Sequence, residues 1–122
     1  MIKENLITHP EIHPKGWGKE NWIVNSSLYC GKIMEVKKGK RCSIHYHKIK
    51  DETFYILSGL INLNLYINGY SNPPKIILMK PNDTIHIPQG LIHQFIGLED
   101  SKILEISTQH FDEDSHRIVK GD

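Results

Sequence analysis

From Trp22 onward the sequence is cut into short segments by turn signals: Lys38-Gly39, Ser58-Gly59, Asn68-Gly69, Pro73-Pro74, Pro81-Asn82-Asp83 and Gln89-Gly90. Glycine, proline, asparagine and aspartate supply the backbone angles that turns need and that helix interiors tolerate poorly. Between these breaks there is room for strands, and no ten-residue stretch shows a persuasive apolar period of 3.6 residues. The run Leu60 to Ile67 alternates, which predicts a strand with Ile61, Leu63, Leu65 and Ile67 on one face and Asn62 and Asn64 on the other. Short strands at this spacing point to an all-β sandwich or barrel.

The length of 122 residues fits one domain, covering 1–122. Residues 1–21, with Pro10, Pro14, Gly16 and Gly18 among scattered charges, read as an irregular N-terminal arm with at most one short strand, anchored by Trp17 and Trp22. The barrel core runs from about 22 to 108, and the polar tail 109–122, around Asp112, Glu113, Asp114, His116 and Arg117, reads as a helical turn or an extended flap.

Fifteen basic and 14 acidic residues leave a net charge of +1, with no basic surplus to attract nucleic acid or an acidic membrane. The expected partners are therefore a small molecule and a second copy of the chain. Cys30 and Cys42, the only cysteines, are too few for a disulfide scaffold and read as reduced thiols. Residues 1–10 lack the apolar run of a signal peptide and no segment is long and apolar enough to span a bilayer, so a soluble cytoplasmic protein is expected.

Eight histidines are many for this length, and their placement carries the chemistry. Alternation puts His45 and His47 on one face of a strand, together with Arg41 and Ser43. Two imidazoles so placed can take neighbouring positions on one divalent metal. Glu52 follows after a link, 48–51, sized to start an adjacent strand, and His93 follows the bend Pro88-Gln89-Gly90. Three nitrogens and one carboxylate oxygen would leave one or two coordination positions open for water or substrate, as catalytic sites do.

The spacing Gly39, five residues, His45-x-His47, four residues, Glu52, six residues, Gly59, followed by Pro88-x-Gly90-x-x-His93, resembles the two motifs of the cupin superfamily. Asn82 stands where a glycine is usual and Gly97 where an asparagine is usual; neither is a ligand position. The resemblance implies a jelly-roll barrel, the double-stranded β-helix, with one divalent ion (Zn, Mn, Fe, Ni or Co) held by His45, His47, Glu52 and His93 in its mouth. Gly16-Trp17-Gly18 with Trp22, and the segment Lys32 to His45, look like the cupin domain of type II mannose-6-phosphate isomerases. That family often has glutamine at the place of His45, where histidine is more like the cupin lyxose isomerases. The segments Glu105 to His110 and Asp114 to Arg117 also look like the end of sugar-isomerase cupins.

This resemblance implies an aldose-ketose isomerase acting on a sugar or sugar phosphate. Such a reaction moves a proton between C1 and C2 through an enediolate whose developing charge a divalent metal stabilises. Glu105, in the last strong β run, is the first candidate base, with His110 and His116 behind it. Arg41, Lys48, Lys50 and Arg117 are candidates to meet a phosphate, Arg41 foremost by its parity with His45. The ligand set alone also admits an Fe(II)-dependent cupin oxygenase or a non-catalytic sugar-binding module.

The same parity sends Cys42, Ile44 and Tyr46 to the outer face, joined there by Tyr55 and Leu57 of the next strand, while Glu52, Phe54 and Ile56 point inward. An apolar outer row of this kind predicts a two-fold homodimer.

Overall fold

The structure, a computed structural model, describes Ile2 and residues 4–122. Among the described residues eleven strands form two antiparallel sheets, and one 3-10 turn precedes the last strand. The strands are β1 (Glu11–Lys15), β2 (Gly18–Asn25), β3 (Cys30–Val36), β4 (Ile44–Tyr46), β5 (Glu52–Ser58), β6 (Ile61–Leu65), β7 (Lys75–Met79), β8 (Thr84–Ile87), β9 (His93–Gly97), β10 (Ser101–Ser107) and β11 (His116–Val119). One sheet has the order β1-β2-β3-β10-β5-β8 and the other β11-β4-β9-β6-β7. Strands from opposite ends of the chain lie side by side in both, as in a jelly roll. Among the described residues no helix is long and apolar enough to cross a membrane.

Alternation explains what lies between the sheets. Ile61, Leu63 and Leu65 are buried while Asn62 and Asn64 are not. Ile67 departs from the expected strand: β6 stops at Leu65, and Ile67 is exposed in the turn at Asn68-Gly69. On β5, Glu52, Phe54 and Ile56 point inward as expected. The inward positions change character along the barrel. Val36, Met34, Ile103 and Ile56 pack at one end against Ile61, Leu63, Met79 and Phe95. At the other end the same strands present Lys32, Glu105 and Glu52, brought level by the pairings Lys32 with Glu105 and Glu52 with Ser107. An apolar plug therefore closes one end and a polar pocket occupies the other.

Two glycine-type positions are fixed by backbone geometry. Gly59 has φ 92° and a Cβ there would collide with Asp100 and Ser101, so the hairpin needs glycine. Asn82, standing where the cupin pattern has glycine, has φ 77°, a left-handed angle that asparagine tolerates better than most residues.

Both ends of the chain are more ordered than the sequence suggested. Residues 11–25 form a hairpin, β1 and β2, that extends the six-stranded sheet, with Trp17 buried against Phe95; Met1 and Lys3 of the expected arm lie outside the described residues. The tail contains the 3-10 turn Asp112–Asp114 and β11, which pairs with β4. Its polarity hid a strand at the edge of the second sheet.

The parity argument fails before Ile44. β4 is only three residues long, and residues 42–43 lie outside any strand. Cys42 is consequently in the core, its Sγ accepting a hydrogen bond from the Phe95 amide, and Ile44 is 8% exposed. The apolar row expected from Cys42 and Ile44 is thus not an exposed surface. Leu57 and Ile106, 41% and 56% exposed, stand on the outer face of the six-stranded sheet instead.

Candidate metal centre

β4 and β9 pair through His45 and His93, which sets these two imidazoles side by side, and His47 follows on the same face. Ligand atoms of His45, His47 and His93 lie within 4.8 Å of one another. Glu52 approaches from the opposite sheet, its Oε2 3.5 Å from His47 Nε2 and 3.6 Å from His93 Nε2. The sequence motif has closed into one cluster.

Each histidine is oriented by a main-chain carbonyl. Nδ1 donates to Ser43 O in His45 (2.9 Å), to Asp114 O in His47 (3.0 Å) and to Leu91 O in His93 (2.8 Å). A carbonyl can only accept, so Nδ1 carries the proton and Nε2 presents its lone pair. Such outer contacts are what fix metal-binding histidines. Burial pushes their pKa values down, to about 3 for His45 and His47 and about 4 for His93, so the imidazoles stay neutral.

Glu52 Oε2 and His93 Nε2 are buried and have no hydrogen-bond partner among the described residues. Burial, and next the charge of Glu105, push the Glu52 carboxyl well above the usual range. Orphaned acceptors facing one another are costly unless a cation lies between them. The donor set, neutral nitrogens plus a carboxylate, suits a borderline divalent metal, with contacts of about 2.1 Å. The residues present therefore fit a divalent ion.

Asp114, which the sequence showed only as part of a polar tail, organises this region. Its carboxylate accepts the amides of Lys48 (2.8 Å), Ile49 (3.1 Å) and Lys50 (2.9 Å), tying down the link between His47 and Glu52. Burial works against ionisation, but these donors outweigh it and hold the Asp114 pKa below the usual value. No sequence period could have revealed a side chain of a 3-10 turn bonding to a loop 64 to 66 residues away.

Beside the cluster, Lys50 Nζ bonds Glu105 Oε2 at 3.0 Å and lies 3.6 Å from Glu52 Oε1. Ser107 Oγ also donates to Glu105 Oε2, at 2.9 Å. Burial alone would raise the Glu105 pKa; Lys50 and then Lys32 reverse this and hold it at about 2. His110 completes the group, with Nδ1 3.4 Å from Lys50 Nζ and Nε2 3.0 Å from Asp112 Oδ1. Burial, followed by the charges of Lys32 and Lys50, lowers the His110 pKa.

His45, His47, Glu52, Lys50, Glu105, His110 and Asp112 line a cavity of about 730 Å³ that opens between the N-terminal hairpin and the tail. Of the candidate phosphate contacts, Arg117 and Lys50 line it. Arg41 and Lys48 are exposed and do not. Arg41 fails because it precedes the regular part of β4, and Lys48 because the loop held by Asp114 turns its side chain outward. His116 sits outside the cavity, stacked on Tyr46. Sequence reasoning missed Lys32, which was legible as a lysine in phase with buried Met34 and Val36.

A two-sheet jelly roll with three convergent histidines in its mouth defines a cupin with a pocket able to hold a metal. Within that class, the chain belongs to the mannose-6-phosphate isomerase C-terminal family, whose model matches residues 2–120. It is 24% identical over 106 residues to a mannose-1-phosphate guanylyltransferase of Sinorhizobium fredii (strain NBRC 101917 / NGR234), a match covering 84% of this chain and 19% of that protein. The chain thus spans about a fifth of that relative's length. Oxalate decarboxylase from Bacillus subtilis superposes with a TM-score of 0.77 at 18% identity, over 89% of this chain and 30% of that one. Its Mn(II) centres are named in a further structure of that protein. KdgF from Halomonas sp. superposes with a TM-score of 0.67 at 17% identity, over 78% and 81% of the two chains. At these identities the structural likeness establishes the fold.

Proposed function

We propose that the protein is a metal-dependent isomerase of a sugar or sugar phosphate, with His45, His47, Glu52 and His93 as the metal ligands. The observation that carries this reading is the acid-base group beside the metal pocket: Lys50, Glu105, His110 and Asp112 share one cavity with His45, His47 and Glu52. A bound divalent ion would supply Lewis-acid stabilisation for the negative charge that develops on substrate oxygens.

The residues of the chain divide the remaining work. Glu105 is held as a carboxylate by Lys50 and Ser107, which makes it a counter-ion first and a weak base. His110 is better suited to accept a proton. Its Nε2–H donates to Asp112, leaving the Nδ1 lone pair at the Lys50 amino group 3.4 Å away, and its lowered pKa keeps it unprotonated at neutral pH. Lys50 Nζ, held as an ammonium between Glu105 and His110, can steady a substrate oxygen. The family match and the similarity to a mannose-phosphate enzyme support a sugar substrate. Our reading includes a cytoplasmic homodimer, built on the outer face of the six-stranded sheet.

A sugar and sugar-phosphate panel followed by NMR in deuterated water tests the reaction, because proton transfer through a protein base exchanges the C2 proton at least partly with solvent. His110→Gln should slow exchange and turnover about a hundredfold or more while leaving metal content unchanged. Glu105→Gln should slow them by disturbing Lys50. Turnover of a confirmed substrate at the wild-type rate in His110→Gln would remove His110 as the base, and no turnover across the panel would remove the isomerase.

A further inference from the structure

One buried cation in the cavity has no use in the scheme above. Lys32 points inward from β3 and is 1% exposed, the most buried lysine or arginine among the described residues. Burying an ammonium is costly unless acceptors replace its water. Lys50, the other buried lysine, has Glu105 at 3.0 Å. Lys32 has no equivalent. Among the described residues its Nζ makes no hydrogen bond, its contacts being the Trp22 ring at 4.2 Å and Glu20 Oε1 at 3.6 Å. Glu105, its cross-strand neighbour, accepts from Lys50 and Ser107 at Oε2 and forms no ion pair with Lys32.

The surroundings hold Lys32 in place without saturating it. Trp22 covers one side of the amino group, and its own Nε1–H donates to Glu20 Oε1 at 2.8 Å, fixing the carboxylate at a distance too long for a hydrogen bond to lysine. The amino group faces the same cavity as the metal cluster. Five basic and five acidic side chains line that cavity, so a divalent ion would tip its lining positive. A neutral hydroxyl could accept a bond from Lys32 but would leave its charge loosely balanced. An anionic oxygen would do both.

We propose that Lys32 anchors an anionic oxygen group, a carboxylate or a phosphate, of the ligand that this cavity binds, with Glu20 acting as the substitute counter-ion when no ligand is present. The proposal rests on the reading of the cavity as a sugar site only for the body of the ligand; the anchor itself depends on charge and geometry. It makes Lys32 a specificity residue and the ligand an acidic small molecule. The Trp22 ring, stacked on His13 at 3.9 Å, supplies the wall beside it.

The test is calorimetric binding to zinc-loaded protein of a neutral hexose, its 6-phosphate and its uronic acid, together with acetate and inorganic phosphate. One of the anionic sugars should bind about tenfold or more tightly than the neutral hexose, and Lys32→Met should abolish that advantage while zinc content and neutral-hexose affinity stay unchanged. The 6-phosphate as the tighter ligand identifies a phosphate, the uronic acid a carboxylate. Glu20→Gln, which removes the competing carboxylate, should tighten anion binding severalfold and serves if Lys32→Met does not fold. If no sugar binds but acetate or phosphate binds in a Lys32-dependent way, the sugar reading fails and the anchor stands. Anions that bind the Lys32→Met protein as tightly as wild type, that fail to bind wild type at all, or that gain nothing from Glu20→Gln overturn the anchor.

Discussion

Replacing Asp114 with alanine should loosen the metal pocket from a distance. The carboxylate is 3% exposed and accepts three consecutive main-chain amides, those of Lys48, Ile49 and Lys50. The side chains of Lys48 and Ile49 are exposed, so water can partly serve their amides, whereas Lys50 is buried. One buried donor left unmade costs ~2 kcal/mol and two partly solvated ones ~0.5 kcal/mol each, giving about 3 kcal/mol in all. For a domain of this size that is a fall in Tm of about 10 °C. Because the same link spaces His47 from Glu52, and the Asp114 carbonyl orients His47, zinc affinity should also fall, by about tenfold. Thermal denaturation with and without zinc, paired with a competition titration, measures both, with exposed Glu113→Ala as the control. An Asp114→Ala protein that melts within about 2 °C of wild type and binds zinc equally well would refute the role given to the tail.

Two further outcomes follow from burial. In metal-free protein, His45, His47 and His93 have folded pKa values of about 3 to 4, below the ordinary value of 6.5. The unfolded chain therefore takes up their protons first, and stability should fall as pH drops from about 6.5 toward 4, by up to ~1.4 kcal/mol per pH unit for each histidine. Denaturant midpoints of chelator-treated protein at several pH values give the slope, and a flat profile between pH 6.5 and 5 would contradict the neutral, buried assignment. For the proposed homodimer, light scattering should give a dimer mass that Ile106→Lys or Leu57→Lys reduces; a wild-type monomer at micromolar concentration would end that proposal.

The cluster of three histidines and Glu52 was the most legible part of the molecule, because its residues follow from strand parity and a short link. His45 and His47 share a face by strand parity, and the short link to Glu52 leaves the chain few places to go. His93 arrives by direct pairing with His45. Parity was equally good along β5, where Glu52, Phe54 and Ile56 alternate inward, but it left the face of Glu105 open, and only the fold shows that side chain buried on β10. It failed where strands are short. β4 holds three residues, so extrapolating its phase back to Cys42 and Arg41 put the thiol outside and the guanidinium inside, the reverse of what is found. The tail was illegible for a different reason: Asp114 and Asp112 act through contacts with a loop and a histidine, which leave no periodic trace.

Metal content is the most direct measurement of the central claim. Protein purified without a histidine tag or chelator, and analysed by mass spectrometry of its metals, should carry one divalent ion per chain. His47→Ala and His93→Ala should lose it, while His86→Ala, an exposed histidine paired with Asp51, should keep it. Wild-type occupancy in the His47→Ala and His93→Ala proteins would contradict the site.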